Sequence, residues 1–374
     1  FNEYFKDLVG VTLPEDHPVT EEVRLEIEKH LEIKNLTTEF KTGQGIVKAV
    51  RNVNYSLEKG EILGIVGESG SGKSVGMLSL MGLLADNGRI VSGSIIFDGE
   101  EISPISEKYK TNKKAYEKRM QEIRGNDIGM IFQDPMTFLN PILKVGTQIE
   151  EQILRHTKCS KKEARERAIE LMKKVGIPSP EKRIDQYPFQ FSGGMRQRII
   201  IAIALSCNPK LIIADEPTTA LDVTVQSQIL ELLQQIAEET GTAIIMITHD
   251  LGVVATLCQK INIMYGGQIV EHGTTDEIFY NPKHPYTMGL LRSIGTHTNG
   301  ERQSLIPIPG TPPDLLKLNS GCAFMPRCSK AMKICKDYMP CRTQFSEDQY
   351  CSCWEYCKDS ADKIVQEQSA AVNG

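Results

Sequence analysis

The stretch Gly67-Glu-Ser-Gly-Ser-Gly-Lys-Ser74 limits the fold more than any other part of this chain. It follows Glu61–Val66 (EILGIV), nearly all apolar as a strand buried on both faces is, and it opens the apolar helix candidate Ser74–Ala85. Gly67, Gly70 and Gly72 free the backbone to turn its N–H groups inward around phosphate oxygens, and the helix start adds its positive end. In the pattern G-x-x-x-x-G-K-[ST], Lys73 reaches the β- and γ-phosphates and the Ser74 hydroxyl ligates Mg²⁺. The strand–loop–helix context argues against an accidental glycine-rich turn.

Leu211-Ile-Ile-Ala-Asp215-Glu216-Pro217 supplies the other half of such a site. A buried strand ends in adjacent carboxylates, so Asp215 is placed to hold hydrated Mg²⁺ and Glu216 to polarise an attacking water. Leu31–Leu36 alternates like a strand, Val50–Leu57 follows, and Lys210–Ala214 and Ala243–Ile247 read as buried strands. Val225, Ile229, Leu232, Leu233 and Ile236 mark an amphipathic helix. Ser160-Lys-Lys-Glu163 is a capping box opening a helix with Ala164, Ala168, Leu171, Met172 and Val175 on one face. Strands alternating with helices predict a mostly parallel sheet covered on both sides.

Residues 102–124 are lysine-rich and read as a solvated helix or loop. A net charge of −5 points away from a protein built to hold nucleic acid. No apolar run approaches the roughly 18–20 residues that span a bilayer, so neither a membrane helix nor a signal peptide is expected. Residues 1–30, polar and acidic with Pro14 and Pro18, read as a loosely docked extension.

Phe191-Ser192-Gly193-Gly194-Met195-Arg196-Gln197-Arg198 resembles the signature of the ATP-binding cassette (ABC) family. Gln133 resembles its Q-loop glutamine, Ala220-Leu221-Asp222 its D-loop, His249 its switch histidine, and Phe40 the aromatic that stacks on adenine. The order and spacing of these residues over 31–275 carry the resemblance, more than any one of them. It implies an α/β P-loop NTPase of ABC ATPase type over 31–285: a RecA-like core, an antiparallel β subdomain, and a helical subdomain at about 137–205. It also implies ATP contacts from Phe40, Gly67, Glu68, Ser69, Gly70, Ser71, Gly72, Lys73, Ser74 and Asp215. Mg²⁺ falls to Ser74, Gln133 and Asp215, and catalysis to Glu216, His249 and Gln133. The resemblance implies that Ser192, Gly193, Gly194 and Met195 grip the ATP of the opposite subunit, so the active unit is expected to be a dimer with two ATPs at its interface, and Asp222 belongs to the D-loop.

Gln133-Asp-Pro-Met-Thr-Phe-Leu-Asn-Pro141, Tyr187-Pro-Phe-Gln-Phe-Ser192, Ala220-Leu-Asp-Val-Thr224, Asn281-Pro-Lys-His-Pro-Tyr-Thr287 and Ile308-Pro-Gly-Thr-Pro-Pro313 resemble the oligopeptide/dipeptide importer branch, although Phe138 sits where Ser is commoner. The D-type ATPase of that branch drives peptide uptake from the cytoplasmic face of the membrane. The implied partners are a second, paralogous ATPase, two transmembrane permease subunits and an extracellular substrate-binding protein, with no nucleic acid. No residue here reads the cargo itself, so peptide rests on the resemblance and nickel or another solute stays open as the alternative. DNA-repair relatives split the cassette with very long insertions, whereas Lys73 to Ser192 holds a modest one without heptads. Ribosome-acting relatives usually carry two cassettes, and this chain carries one phosphate loop. An exporter differs only in direction, and the importer resemblance disfavours it.

Seven of the ten cysteines crowd into Cys322–Cys357, within the expected C-terminal extension 286–374. Such crowding in an intracellular protein reads as metal binding before disulfides. Cys322, Cys328, Cys335 and Cys353 resemble the motif that carries a [4Fe–4S] cluster in some members of the branch. Four thiolates also suit Zn²⁺, and spacing does not choose between them. Cys341, Cys351 and Cys357 are then surplus, with Cys351 the alternative ligand.

Overall fold

The computed structural model describes residues 29–219, 221–293 and 307–357. The extension expected at 1–30 thus lies almost wholly outside the described residues, as does Ala220 of the D-loop.

Strands β1 (Lys29–Thr42) and β2 (Gly45–Glu58) pair antiparallel, and the chain then enters a second sheet through β3 (Ile62–Val66) and helix α1 (Lys73–Leu80). It returns to the first sheet as β4 (Gly88–Phe97) and β5 (Glu100–Glu101), giving the order β2-β1-β4-β5. Helix α2 (Lys113–Ile123), β6 (Ile128–Ile131) and helices α3 (Val145–His156), α4 (Lys161–Lys174) and α5 (Gly193–Ala204) follow. The rest alternates: β7 (Leu211–Asp215), α6 (Val223–Thr240), β8 (Ala243–Thr248), α7 (Leu251–Leu257), then β9 (Lys260–Tyr265), β10 (Gln268–Thr274), α8 (Thr275–Tyr280) and α9 (Pro285–Arg292). Short strands β11 (Arg342–Gln344) and β12 (Tyr350–Ser352) come last.

The second sheet runs β11-β12-β10-β9-β3-β8-β7-β6. Its β9-β3-β8-β7-β6 portion is parallel, as the alternating pattern predicts, while β10 to β12 add an antiparallel edge. Successive residues of a strand face opposite sides, and both sides here are buried. Ile212, Ala214, Ile244 and Met246 join the helical layer of α3 to α7, whereas Leu211, Ile213, Ile245 and Ile247 join α1, α2 and the first sheet.

The helix after the phosphate loop differs from the sequence reading. The helix expected over Ser74–Ala85 stops at Leu80, because the chain turns at Gly82 (φ 60°) and the Arg124 guanidinium donates to the carbonyls of Met81 and Gly82, each at 2.8 Å. Within the lysine-rich 102–124, α2 buries Tyr116, Met120 and Ile123 and leaves its charges to solvent. The capping box at Ser160 and Glu163 forms as expected.

The cysteine-rich segment is stitched to the main sheet, since β12 pairs with β10 through Glu271–Cys351 and His272–Tyr350. Against the expectation of metal before disulfides, Cys341 and Cys357 are disulfide-bonded, their Cα atoms 6.1 Å apart. Cys351 is buried within β12. No helix among the described residues is long and apolar enough to cross a membrane.

Candidate active site

Ligands of open α/β sheets sit beyond the carboxyl ends of the strands. Register brings the relevant ends together here: Val66 pairs with Thr248, Asp215 with Ile247, and Ile131 with Ala214. The phosphate loop, Glu216, His249 and Gln133 all leave strands at that one edge.

Gly72 takes φ 100°, and a Cβ there would lie 2.3 Å from the Ala49 carbonyl oxygen, so only glycine fits. The same contact sets β2 against the loop. Phe40 lies opposite Val47 in the β1–β2 ladder, and its ring lies against Gly88, where a Cβ would fall 2.6 Å from Phe40 Cε1. Lys73 is 6% exposed, and its Nζ donates to the carbonyls of Gly67 at 2.7 Å and Glu68 at 3.0 Å. Its ammonium thus spans the loop from inside. Burial lowers the Lys73 pKa, opposed by the charges of Glu216, Asp215 and Glu68.

The Ser74 hydroxyl donates to Asp215 Oδ1 at 3.2 Å, so two of the three Mg²⁺ ligands expected from sequence adjoin one another. Burial raises the Asp215 pKa and Glu216 adds to that, while the Ser74 bond and Lys73 oppose it. A divalent cation there would relieve the carboxylate repulsion; Ser74 and Asp215 are the side chains suited to hold it.

Glu216 sits at φ 48° with its N–H on the Ile247 carbonyl at 2.9 Å. Gln133 Nε2 donates to Glu216 Oε2 at 2.9 Å, and His249 Nδ1 lies 3.1 Å from Oε1. Three residues far apart in sequence therefore meet at one carboxylate. Gln133, expected both at Mg²⁺ and among the catalytic residues, is here bonded to Glu216. Thr219 Oγ1, which the sequence reading missed, also donates to Glu216 Oε2 at 2.9 Å. No spacing signal marks Thr219.

The signature residues do not join this cluster. Ser192 caps α5 by accepting the Met195 N–H at 3.4 Å, and Ser192 and Gly193 are exposed. Among the described residues no hydrogen bond links them to the phosphate loop. A Cβ on Gly194 would fall 2.6 Å from Val225 Cγ1, so α5 packs tightly on the start of α6, which Asp222 caps through the Val225 N–H at 3.0 Å.

Among the described residues no group of three or more His, Cys, Asp or Glu side chains is arranged to hold a metal ion, so the metal-binding segment expected from sequence finds no support there. Cys322, Cys328, Cys335 and Cys353 are nonetheless neighbours, each in the electrostatic field of at least two of the others. The Cys322 N–H also donates to the Cys335 carbonyl at 2.8 Å.

Residues 50–219 match the ABC transporter family, and residues 270–335 match the oligopeptide/dipeptide transporter C-terminal region. The oligopeptide transport ATP-binding protein OppD of Bacillus subtilis is 53% identical over 331 residues, covering 88% of this chain and 90% of its own length. The dipeptide transport ATP-binding protein DppD of Lactococcus lactis is 50% identical, covering 87% and 91%. A dimeric ATP-binding cassette solved in a post-hydrolysis state with ADP and phosphate superposes with TM-score 0.57 at 30% identity, covering 66% of this chain and 98% of that one. Identity at that level and extent, with both family regions in place, assigns the fold and lineage together: the chain belongs to the ATP-binding proteins of the oligopeptide/dipeptide ABC transporters.

Proposed function

We propose that this chain is the ATP-hydrolysing subunit of a peptide importer, with the residues gathered at the strand ends performing the chemistry. Lys73 and the loop Gly67–Ser74 bind the phosphates, Phe40 faces the adenine, and Ser74 and Asp215 hold Mg²⁺, which offsets phosphate charge. Glu216 accepts the proton of the attacking water, while Gln133 and His249 hold its two oxygens in line. The convergence of Gln133 and His249 on Glu216 carries this reading. Positioning supplies most of the rate, and closure of a second subunit excludes water.

That second subunit, in this reading a paralogous ATPase, presents its own signature turn, and Ser192–Met195 serve its nucleotide in return. Two permease subunits and an external binding protein complete the importer, so the chain works at the cytoplasmic face of the membrane. The nucleotide-binding domain spans 31–285, and 286–374 forms the branch-specific extension. There Cys322, Cys328, Cys335 and Cys353 would hold a [4Fe–4S] cluster, with Zn²⁺ the alternative that four thiolates also suit. Bound there, the cluster cross-links a segment whose own small core is Cys335, Trp354 and Cys357.

Glu216→Gln tests the motor: the complex should bind ATP and stay locked as a dimer, with phosphate release lost. Normal steady-state hydrolysis in that variant refutes Glu216 as base. Anaerobically purified protein should carry about four iron and four sulfide per chain; stoichiometric zinc without iron removes the cluster.

A further inference from the structure

Glu68, the second residue of the phosphate loop, is held at every polar group it has. Its carbonyl accepts from Lys73 inside the loop, as described above. Its N–H donates outward to the Tyr286 hydroxyl at 2.9 Å. Its carboxylate accepts a two-pronged bond from Arg327, Nη1 to Oε2 at 2.6 Å and Nη2 to Oε1 at 3.0 Å. Two of these three anchors belong to the C-terminal region, more than two hundred residues away.

Both anchors are themselves fixed. The Arg327 side chain is 6% exposed, and its Nε and Nη2 also donate to the carbonyls of Pro309 at 2.9 Å and Ile308 at 3.3 Å. Tyr286 is fully buried between Tyr265 and Phe324, with ring centroids 4.5 and 5.3 Å away. The turn before it hangs on the buried Glu271 carboxylate, which accepts from the N–H groups of Lys283 at 2.6 Å and His284 at 2.8 Å. The 281–287 and 308–313 motifs, which carry no catalytic group, therefore end on one phosphate-loop residue.

We propose that Arg327 and Tyr286 are positioning residues for nucleotide binding, holding Glu68 so that its carboxylate points away from the triphosphate and its charge is matched. The physical reason is twofold. A free carboxylate on the loop would repel a polyanion in a partly desolvated site. A loop fixed from outside loses less conformational freedom when the phosphates arrive. The C-terminal region thereby bears on ATP affinity without touching ATP.

This rests on the nucleotide reading of the loop, and the test separates the two. The full chain is titrated with a fluorescent ATP analogue and Mg²⁺. Lys73→Ala serves as control: if it binds like the unaltered chain, the nucleotide reading falls. Given that control, Arg327→Met should raise the Kd about five- to twentyfold, with KM for ATP affected more than kcat. In the Glu68→Gln background the same change should cost less than about twofold, because the charge to be matched is gone. An equal loss in both backgrounds means Arg327 is merely structural and overturns the proposal. Tyr286→Phe leaves the C-terminal segment packed and should raise the Kd about threefold by orphaning the Glu68 N–H. Should Arg327→Met not fold, Tyr286→Phe decides, and an unchanged Kd overturns the proposal.

Discussion

Gln133 donates its side-chain amide to Glu216 across 83 positions of sequence, at 2.9 Å. The segment beyond it exposes Phe138 (48%) and Ile142 (78%), so the residue bonded to Glu216 also begins a surface-facing segment. Gln133→Ala should lower kcat roughly 10- to 100-fold while leaving ATP affinity intact, as loss of an orienting contact does. Steady-state phosphate release measured alongside nucleotide binding checks this. A weakened Kd with full kcat would assign Gln133 to binding alone.

Ser192 faces solvent and makes no bond to the phosphate loop of its own chain among the described residues. Ser192→Arg should therefore leave ATP binding to the isolated chain unchanged and abolish ATP-dependent association with the second ATPase subunit. Equilibrium binding and sedimentation distinguish the two effects. Loss of binding in the isolated chain contradicts the trans assignment.

Glu271 is fully buried and accepts two backbone N–H groups of the 281–287 turn. Glu271→Ala leaves both donors unpaired in the interior and should cost about 2–5 kcal/mol. Glu271→Gln keeps one acceptor oxygen and should cost less. Denaturant midpoints give the comparison.

His284 is buried, and burial depresses its pKa from 6.5 to about 3, so it folds as the neutral ring. Its Nδ1 accepts from the Tyr286 N–H at 3.0 Å, a bond that protonation removes. The unfolded chain binds the extra proton between those two values, so stability is complete above about pH 6.5 and falls as pH drops toward 3. The slope is about 1.4 kcal/mol per pH unit for this group. His272, lowered to about 4 mainly by burial, acts in the same direction. His284→Gln should flatten the slope between pH 6 and 4.5 by about one proton; an unchanged slope disproves the assignment.

The parallel core was legible because a strand buried on both faces must be apolar throughout, as Ile62–Val66, Leu211–Asp215 and Ala243–Thr248 almost are. The start of α4 was legible because Ser160 caps its own turn in a capping box. The end of α1 was not, since Arg124 supplies the cap from 42 residues away. Thr219, Arg327 and Tyr286 escaped for a related reason. Their contacts with Glu216 and Glu68 are set by where the strand ends and the C-terminal turn come to rest, and no local spacing records that.

From its sequence alone the chain reveals a phosphate loop and a strand-end carboxylate pair, because phosphate chemistry demands those residue types at short intervals. Only the folded molecule decides that Gln133, Thr219 and His249 meet on Glu216, and that Arg327 and Tyr286 take hold of Glu68. Long-range pairing follows from strand register and core packing, which sum over the whole sheet and leave no mark at any single position.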